Sequence, residues 1–277
     1  MAMKAHKTPA SAALAQQVLA GALAQREAVA GPFVLAISGL QGSGKSTLAA
    51  GVTAAAQAHG LAAASVSLDD FYLTHAARQS LAASVHPLLL TRGPPGTHDL
   101  ALADEVMDAV AAGRPVRLPR FDKLADDRLP EAAWPLAAAP LDLLVLEGWC
   151  LGVPAQADAE LQVPLNALER DEDAQGQWRR YVNNALARHY PALWRRLHRL
   201  CVLQAPSFEI VNAWRWQQER ALVAARKDAD AARAGMQQAQ LARFLQHYER
   251  VSRHALRTLP ALAEQVLCLD EARNLID

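Results

Sequence analysis

Residues Gly39-Leu40-Gln41-Gly42-Ser43-Gly44-Lys45-Ser46 carry the spacing G-x-x-x-x-G-K-[ST]. Glycines at these positions let the backbone turn tightly, so that successive N–H groups converge on phosphate oxygens. A helix opening at Lys45 adds the positive end of its dipole. In such a loop Lys45 reaches the β- and γ-phosphates of a nucleotide, and the Ser46 hydroxyl ligates Mg2+. Gly39, Gln41, Gly42, Ser43 and Gly44 supply the cradle, and Thr47 serves as a helix residue or an α-phosphate contact. A chance glycine loop would lack the flanking context present here. An apolar run over 33–38 leads in, and a helical pattern leads out.

Two further acidic sites have the right chemistry to work beside such a loop. Ser67-Leu68-Asp69-Asp70-Phe71-Tyr72 follows a second apolar run. A carboxylate there, facing the γ-phosphate, can accept the proton of a hydroxyl that attacks phosphorus. Asp69 is the favoured base and Asp70 the alternative, although helix capping explains Asp70 equally well. Glu147 follows a third apolar run and would bind Mg2+ through water or orient a nucleophile; otherwise it is a solvated strand-end carboxylate. The phosphate loop alone does not separate a kinase from a switch or a motor. The sequence has no N-K-x-D stretch to read guanine and no L-S-G-G-Q stretch, and Glu147-Gly148 stands where many motor ATPases have Asp-Glu.

The elements that must position these groups alternate in type. Strands are predicted over 33–38, 62–68, 141–146, 197–203 and 266–269, and helices over 45–58, 100–112 and 207–225. Such alternation predicts a three-layer α/β/α fold with a mostly parallel, doubly wound sheet. Ligands of such sheets bind at the carboxyl ends of the strands, which is where the acidic and glycine residues lie. Residues 10–29 read as an amphipathic helix, with Leu14, Val18, Ala22 and Leu23 at helical spacing; a transit peptide is the alternative. The expected organisation is an N-terminal helix within 1–30 packed on a core domain of 31–277. Segment 114–140 is expected as loop, 153–177 as a polar surface insertion, and 207–250 as a helical lid.

Composition narrows the class further. The chain has 277 residues, of which 52% are hydrophobic and 20% charged, enough to bury a sizeable core. Lys+Arg and Asp+Glu are both 28, so no basic excess points to nucleic acid. The three cysteines, Cys150, Cys201 and Cys268, are odd in number and not in CxxC pairs, as in a reduced cytoplasmic protein. No apolar run approaches the roughly 18–20 residues of a membrane span.

The phosphate loop, the D-x-F-Y of Asp69 to Tyr72 and the Glu147-Gly148 pair together resemble the phosphoribulokinase, uridine kinase and pantothenate kinase superfamily of P-loop kinases. Within it, four stretches resemble the D-glycerate 3-kinase family. They are Arg92-Gly93-Pro94-Pro95-Gly96-Thr97-His98-Asp99, Leu118-Pro119-Arg120-Phe121-Asp122-Lys123, Leu146-Glu147-Gly148-Trp149-Cys150-Leu151-Gly152 and Asp270-Glu271-Ala272-Arg273-Asn274. The likeness runs from about Phe33 to Ile276. Two departures stand out: Pro94 and Pro95 stiffen the first stretch, and Leu124 to Leu129 is shorter than in plant forms.

The resemblance implies an ATP- and Mg2+-dependent kinase that phosphorylates a small hydroxylated acid, D-glycerate, at its 3-position. Such an acceptor needs a cation for its carboxylate and polar partners for its hydroxyls. Arg92, Arg120 and Lys123 are the candidate cations, and Asp70, Tyr72 and His98 the candidate polar partners. Asp99 is read first as the cap of the next helix, and Trp149 and Phe121 as packing residues. Trp214 to Glu219 fits the family's lid helix, from which Arg215 would reach the transferring phosphoryl group. Arg273 would border the adenine. A kinase of another small acceptor (a nucleoside, pantothenate or a sugar phosphate) is the alternative. A non-catalytic nucleotide switch ranks below both, because it leaves Asp69 and the cationic loops without a purpose.

Overall fold

The computed structural model describes residues 9–137, 140–225 and 238–276. In chain order, α1 (Pro9–Arg26) leads to β1 (Phe33–Gly39), α2 (Lys45–Ala58), β2 (Ala63–Ser67), α3 (His75–Ser84) and α4 (Leu100–Ala111). Four two-residue strands follow: β3 (Val116–Arg117), β4 (Phe121–Asp122), β5 (Asp127–Arg128) and β6 (Leu136–Ala137). Then come β7 (Leu143–Gly148), α5 (Ala167–Glu172), α6 (Gln177–Arg188), α7 (Tyr190–Trp194), β8 (Arg199–Gln204), α8 (Ile210–Ala225), α9 (Gln238–Thr258) and β9 (Gln265–Cys268). Positions 226–237 of the expected lid region lie outside the described residues. Among the described residues no helix is long and apolar enough to cross a membrane.

The main sheet has the order β2-β7-β1-β8-β9 and is parallel throughout. Every residue of β1 and β7 is buried. That is the pattern of central strands covered on both faces, and it explains why they read as unbroken apolar runs. Side chains alternate between two cores. Leu35 and Ile37 pack with Val18, Leu19, Val52 and Trp214 on one side. Val34 and Ala36 pack with Val106, Met107, Trp178 and Val251 on the other. Helix α1 covers α2 with Ala15, Val18, Leu19 and Ala22; Leu14 and Leu23 lie at the margin of that contact.

Two stretches differ from the sequence reading. Segment 114–140, expected as loop, contains two short antiparallel ribbons, β3 with β6 and β4 with β5. The β4–β5 ribbon turns through Asp126 at φ 54, a left-handed conformation that Asp tolerates better than most residues. The polar 153–177 stretch is built into the fold. Its Glu169 is fully buried and accepts two hydrogen bonds from Arg250 of α9, at 2.7 and 2.6 Å. Arg250 also donates to the carbonyls of Glu160 and Val163. A buried carboxylate is tolerated only with such pairing, and its sequence partner lies 81 positions away.

This clamp matters because α9 carries Tyr248, whose hydroxyl donates to the Arg92 carbonyl at 2.7 Å. Gly93 beside it has φ 117, and a Cβ there would sit 2.0 Å from the Tyr248 hydroxyl. Two outcomes are expected. Glu169→Ala leaves Arg250 buried and unpaired and costs about 3–5 kcal/mol in urea unfolding; a change within about 0.5 kcal/mol contradicts the clamp. Gly93→Ala combines backbone strain with a clash and costs at least about 2 kcal/mol; wild-type stability in that variant contradicts the close approach.

Candidate active site

The loop after β1 opens α2 without a side-chain cap, since Gly44 occupies the capping position in a left-handed conformation at φ 96. Gly44, Lys45, Ser46 and Thr47 of this uncapped first turn line a cavity, a setting that suits an anion. Lys45 donates to the Leu40 carbonyl at 3.0 Å. Burial pushes its ammonium below the ordinary lysine range, with Glu147 and Asp69 pulling the other way. The Ser46 hydroxyl donates to Glu147 at 2.8 Å, joining the start of α2 to the end of β7. Both amide atoms of the Gln41 side chain are buried, and among the described residues neither has a hydrogen-bond partner.

Past β2, the chain makes a single 3-10 turn, Leu68–Phe71. Ser67 caps it, accepting from the Asp69 amide at 3.2 Å. Asp70 closes the capping box and accepts from the Phe121 amide at 3.1 Å and from Arg120 at 3.2 Å. These bonds leave Asp69 as the carboxylate turned toward the phosphate loop. One of its oxygens accepts the Tyr72 hydroxyl at 2.7 Å and the other the Lys123 ammonium at 2.6 Å. Burial alone would raise the Asp69 carboxyl, but Lys123, Tyr72 and Lys45 outweigh it and hold the group well below the usual carboxylate range. The same pairing raises Lys123.

A single cavity of about 160 Å³ joins these groups. It is lined by Gln41, Gly42, Gly44, Lys45, Ser46 and Thr47 on one side and by Asp69, Tyr72, Arg92 and Lys123 on the other. Glu147 forms part of the wall, and Arg215 reaches it from α8, its guanidinium donating to Gln218 at 2.8 Å. Arg92 pairs with Asp126 of the β4–β5 turn. Arg273 lies on the far side of the loop. It donates to the Gly42 carbonyl at 2.7 Å and stacks 5.2 Å from the Trp214 ring. There it borders a second, more apolar cavity of about 570 Å³ with Ser43, Gly44, Thr47, Leu48, Leu203 and Leu269.

Three residues proposed for the acceptor side sit behind the wall. His98 is buried, 4.8 Å from the Tyr72 ring, with Nδ1 2.6 Å from the Tyr190 hydroxyl. The Gly96 amide also donates to that hydroxyl oxygen, at 2.9 Å. Burial pushes His98 down to about 4, so the ring is neutral and serves to support Tyr72. Asp70 is consumed by the turn it caps, and Arg120 by Asp70 and the Pro119 carbonyl. Asp99 caps α4, accepting from the Leu102 amide at 3.1 Å. Conversely, Trp149, Gln218, Phe244 and Tyr248 line the cavity without having been singled out for it. Phe244 and Tyr248 are one helical turn apart, a spacing that sequence reads as ordinary core.

No family model matches the sequence. Several proteins are nevertheless similar along most of it. The uncharacterized kinase mug58 of Schizosaccharomyces pombe is 34% identical over 226 residues, which is 78% of each chain. The chloroplastic D-glycerate 3-kinase of Arabidopsis thaliana is 31% identical over 268 residues, 88% of this chain and 54% of the plant protein. A solved structure of a D-glycerate 3-kinase from Cryptococcus neoformans var. grubii superposes with a TM-score of 0.77 at 24% identity, covering 96% of this chain and 98% of that one. The last likeness shows a shared fold, and the sequence likeness to kinases extends it to kinship. The chain belongs to the same family of P-loop kinases as mug58, and it is an ATP-dependent phosphotransferase.

Proposed function

We propose that this kinase transfers the γ-phosphoryl group of ATP to a hydroxyl of D-glycerate, giving a phosphoglycerate. The observation that carries the reading is the cavity shared by the phosphate loop and Asp69, bordered by Lys45, Arg92, Lys123 and Arg215. A compact site rich in cations suits a small acid better than a neutral nucleoside. The names of the plant and Cryptococcus relatives support the same acceptor.

The triphosphate lies along residues 39–47, and the adenine enters the apolar cavity bordered by Arg273. Lys45 exchanges the Leu40 carbonyl for phosphate oxygens. The paired Ser46 hydroxyl and Glu147 carboxylate are hard oxygen donors beside the phosphate loop, and they fit Mg2+, which takes one or two protein oxygens and completes its shell with phosphate and water. Among the described residues no cluster of three or more His, Cys, Asp or Glu side chains forms a protein-only cage. When bound, the ion supplies positive charge to the β- and γ-phosphate oxygens. Asp69 accepts the proton from the acceptor hydroxyl, and Arg215 neutralises charge on the transferring group. Arg92 and Lys123 hold the acceptor carboxylate, and Tyr72 fixes the base. The three cysteines are free, two of them buried, which suits the reducing cytoplasm.

A coupled ADP-release assay with D-glycerate, L-glycerate, uridine and pantothenate tests the acceptor. D-glycerate is expected to stimulate turnover most; no stimulation by it rejects the substrate while leaving the kinase. Asp69→Asn is expected to lower kcat by about 10²–10⁴-fold with ATP affinity unchanged by calorimetry. Near-normal turnover in that variant removes Asp69 as the base.

A further inference from the structure

Both oxygens of the Asp69 carboxylate are already taken, one by Tyr72 and one by Lys123. An acceptor hydroxyl that is to give up its proton needs one of them. Tyr72 is fixed: its ring is buried, 4.8 Å from His98 and 5.3 Å edge-on from Phe121. Lys123 is placed differently. It extends from the turn of the β4–β5 ribbon with an exposed side chain, and its flexible stem can swing the ammonium without backbone movement.

The ribbon itself is pinned. Asp126 pairs with Arg92 and, at 2.9 Å, with Arg78, a fully buried arginine that also donates to the Leu73, Leu90 and Asp126 carbonyls. The backbone of the turn therefore holds its distance from Asp69 while the lysine side chain keeps its freedom.

We propose that Lys123 is a specificity gate: its ammonium masks Asp69 until the carboxylate of an acidic acceptor draws it away, so that acidic acceptors uncover the base and neutral ones do not. This rests on the reading of Asp69 as the base. An anionic acceptor exchanges one ion pair for another at Lys123. A neutral acceptor has to break a partly buried pair with nothing to replace it, which is unfavourable. Once uncovered, Asp69 loses its strongest cation, and its burial favours taking a proton. The step then balances. The hydroxyl proton passes to Asp69, the acceptor oxygen bonds to the γ-phosphorus, and the bond from that phosphorus to the bridging oxygen breaks and releases ADP. Lys45 and Tyr72 face Asp69 as well, while Glu147 and Arg215 act on Lys123. All four remain in the variant described next.

Lys123→Met, assayed with D-glycerate and with glycerol as its neutral counterpart, tests the gate. The kcat/KM for D-glycerate is expected to fall about 100-fold or more, while that for glycerol holds or rises. The acid limb of kcat/KM for glycerol moves to higher pH, and Lys123→Arg restores part of the preference for the acid. An equal fall for both acceptors, or an acid limb that does not move, overturns the gate. A calorimetric ATP titration of each variant identifies one that has lost its fold, and Lys123→Arg then decides: unchanged selectivity and pH profile with Arg at the position support the gate only if D-glycerate saturation raises the Asp69 carboxyl titration in wild-type ¹³C NMR, and no rise overturns it. Failure of the base reading looks different: Asp69→Asn retains turnover whatever Lys123→Met does.

Discussion

The site depends on the register of three parallel strands. Ile37 of β1 lies opposite Glu147 of β7, and Ser67 of β2 lies opposite the same residue. That alignment ends all three strands at one edge, so the phosphate loop, Glu147 and Asp69 emerge together. A slip of one residue along β7 would turn Glu147 to the opposite face and separate it from Ser46. The register is secured by burial on both faces of β1 and β7, where Leu35, Ile37, Leu144 and Leu146 have no alternative exposed setting.

Charge at that edge is arranged before any ligand arrives. Lys45 and Lys123 flank Asp69, and the Ser46–Glu147 hydrogen bond preforms a pair of oxygen donors. Apart from the two ammonium groups, which exchange partners when ligands bind, these groups need little reorganisation when charge develops on a transferring phosphoryl group. The aromatic surroundings keep them fixed. Tyr72 is held by His98 and Phe121, and Trp149 meets Tyr248 edge-on at 5.0 Å. Helix α9 thus closes one wall of the cavity from a distant part of the chain, and the buried Glu169–Arg250 pair keeps it seated.

What the sequence made legible was local. The phosphate loop depends on eight consecutive residues, and the strands depend on short apolar runs, so both could be read without tertiary information. Asp69 was readable as a carboxylate just past a strand. Asp70 was ambiguous because a cap and a ligand look alike until the Phe121 amide, 51 positions away, is seen to fill it. His98 read as a polar partner for the acceptor, and only its contact with Tyr190 turned it into a support for Tyr72. The pairing of Lys123 with Asp69, across 54 positions, leaves no periodic trace, and the wall formed by Phe244 and Tyr248 carries the spacing of ordinary core. The ribbon around Asp126 is not legible in sequence for a similar reason: its strands are two residues long, and buried Arg78 stabilises them from another element.

The most direct measurement is the structure of the protein with Mg2+ and a non-hydrolysable ATP analogue. The account predicts a γ-phosphorus between the Lys45 ammonium and the Asp69 carboxylate, inside the cavity that Lys123 and Tyr248 also line. A triphosphate whose outermost phosphorus points away from Asp69, into a separate opening, would contradict it.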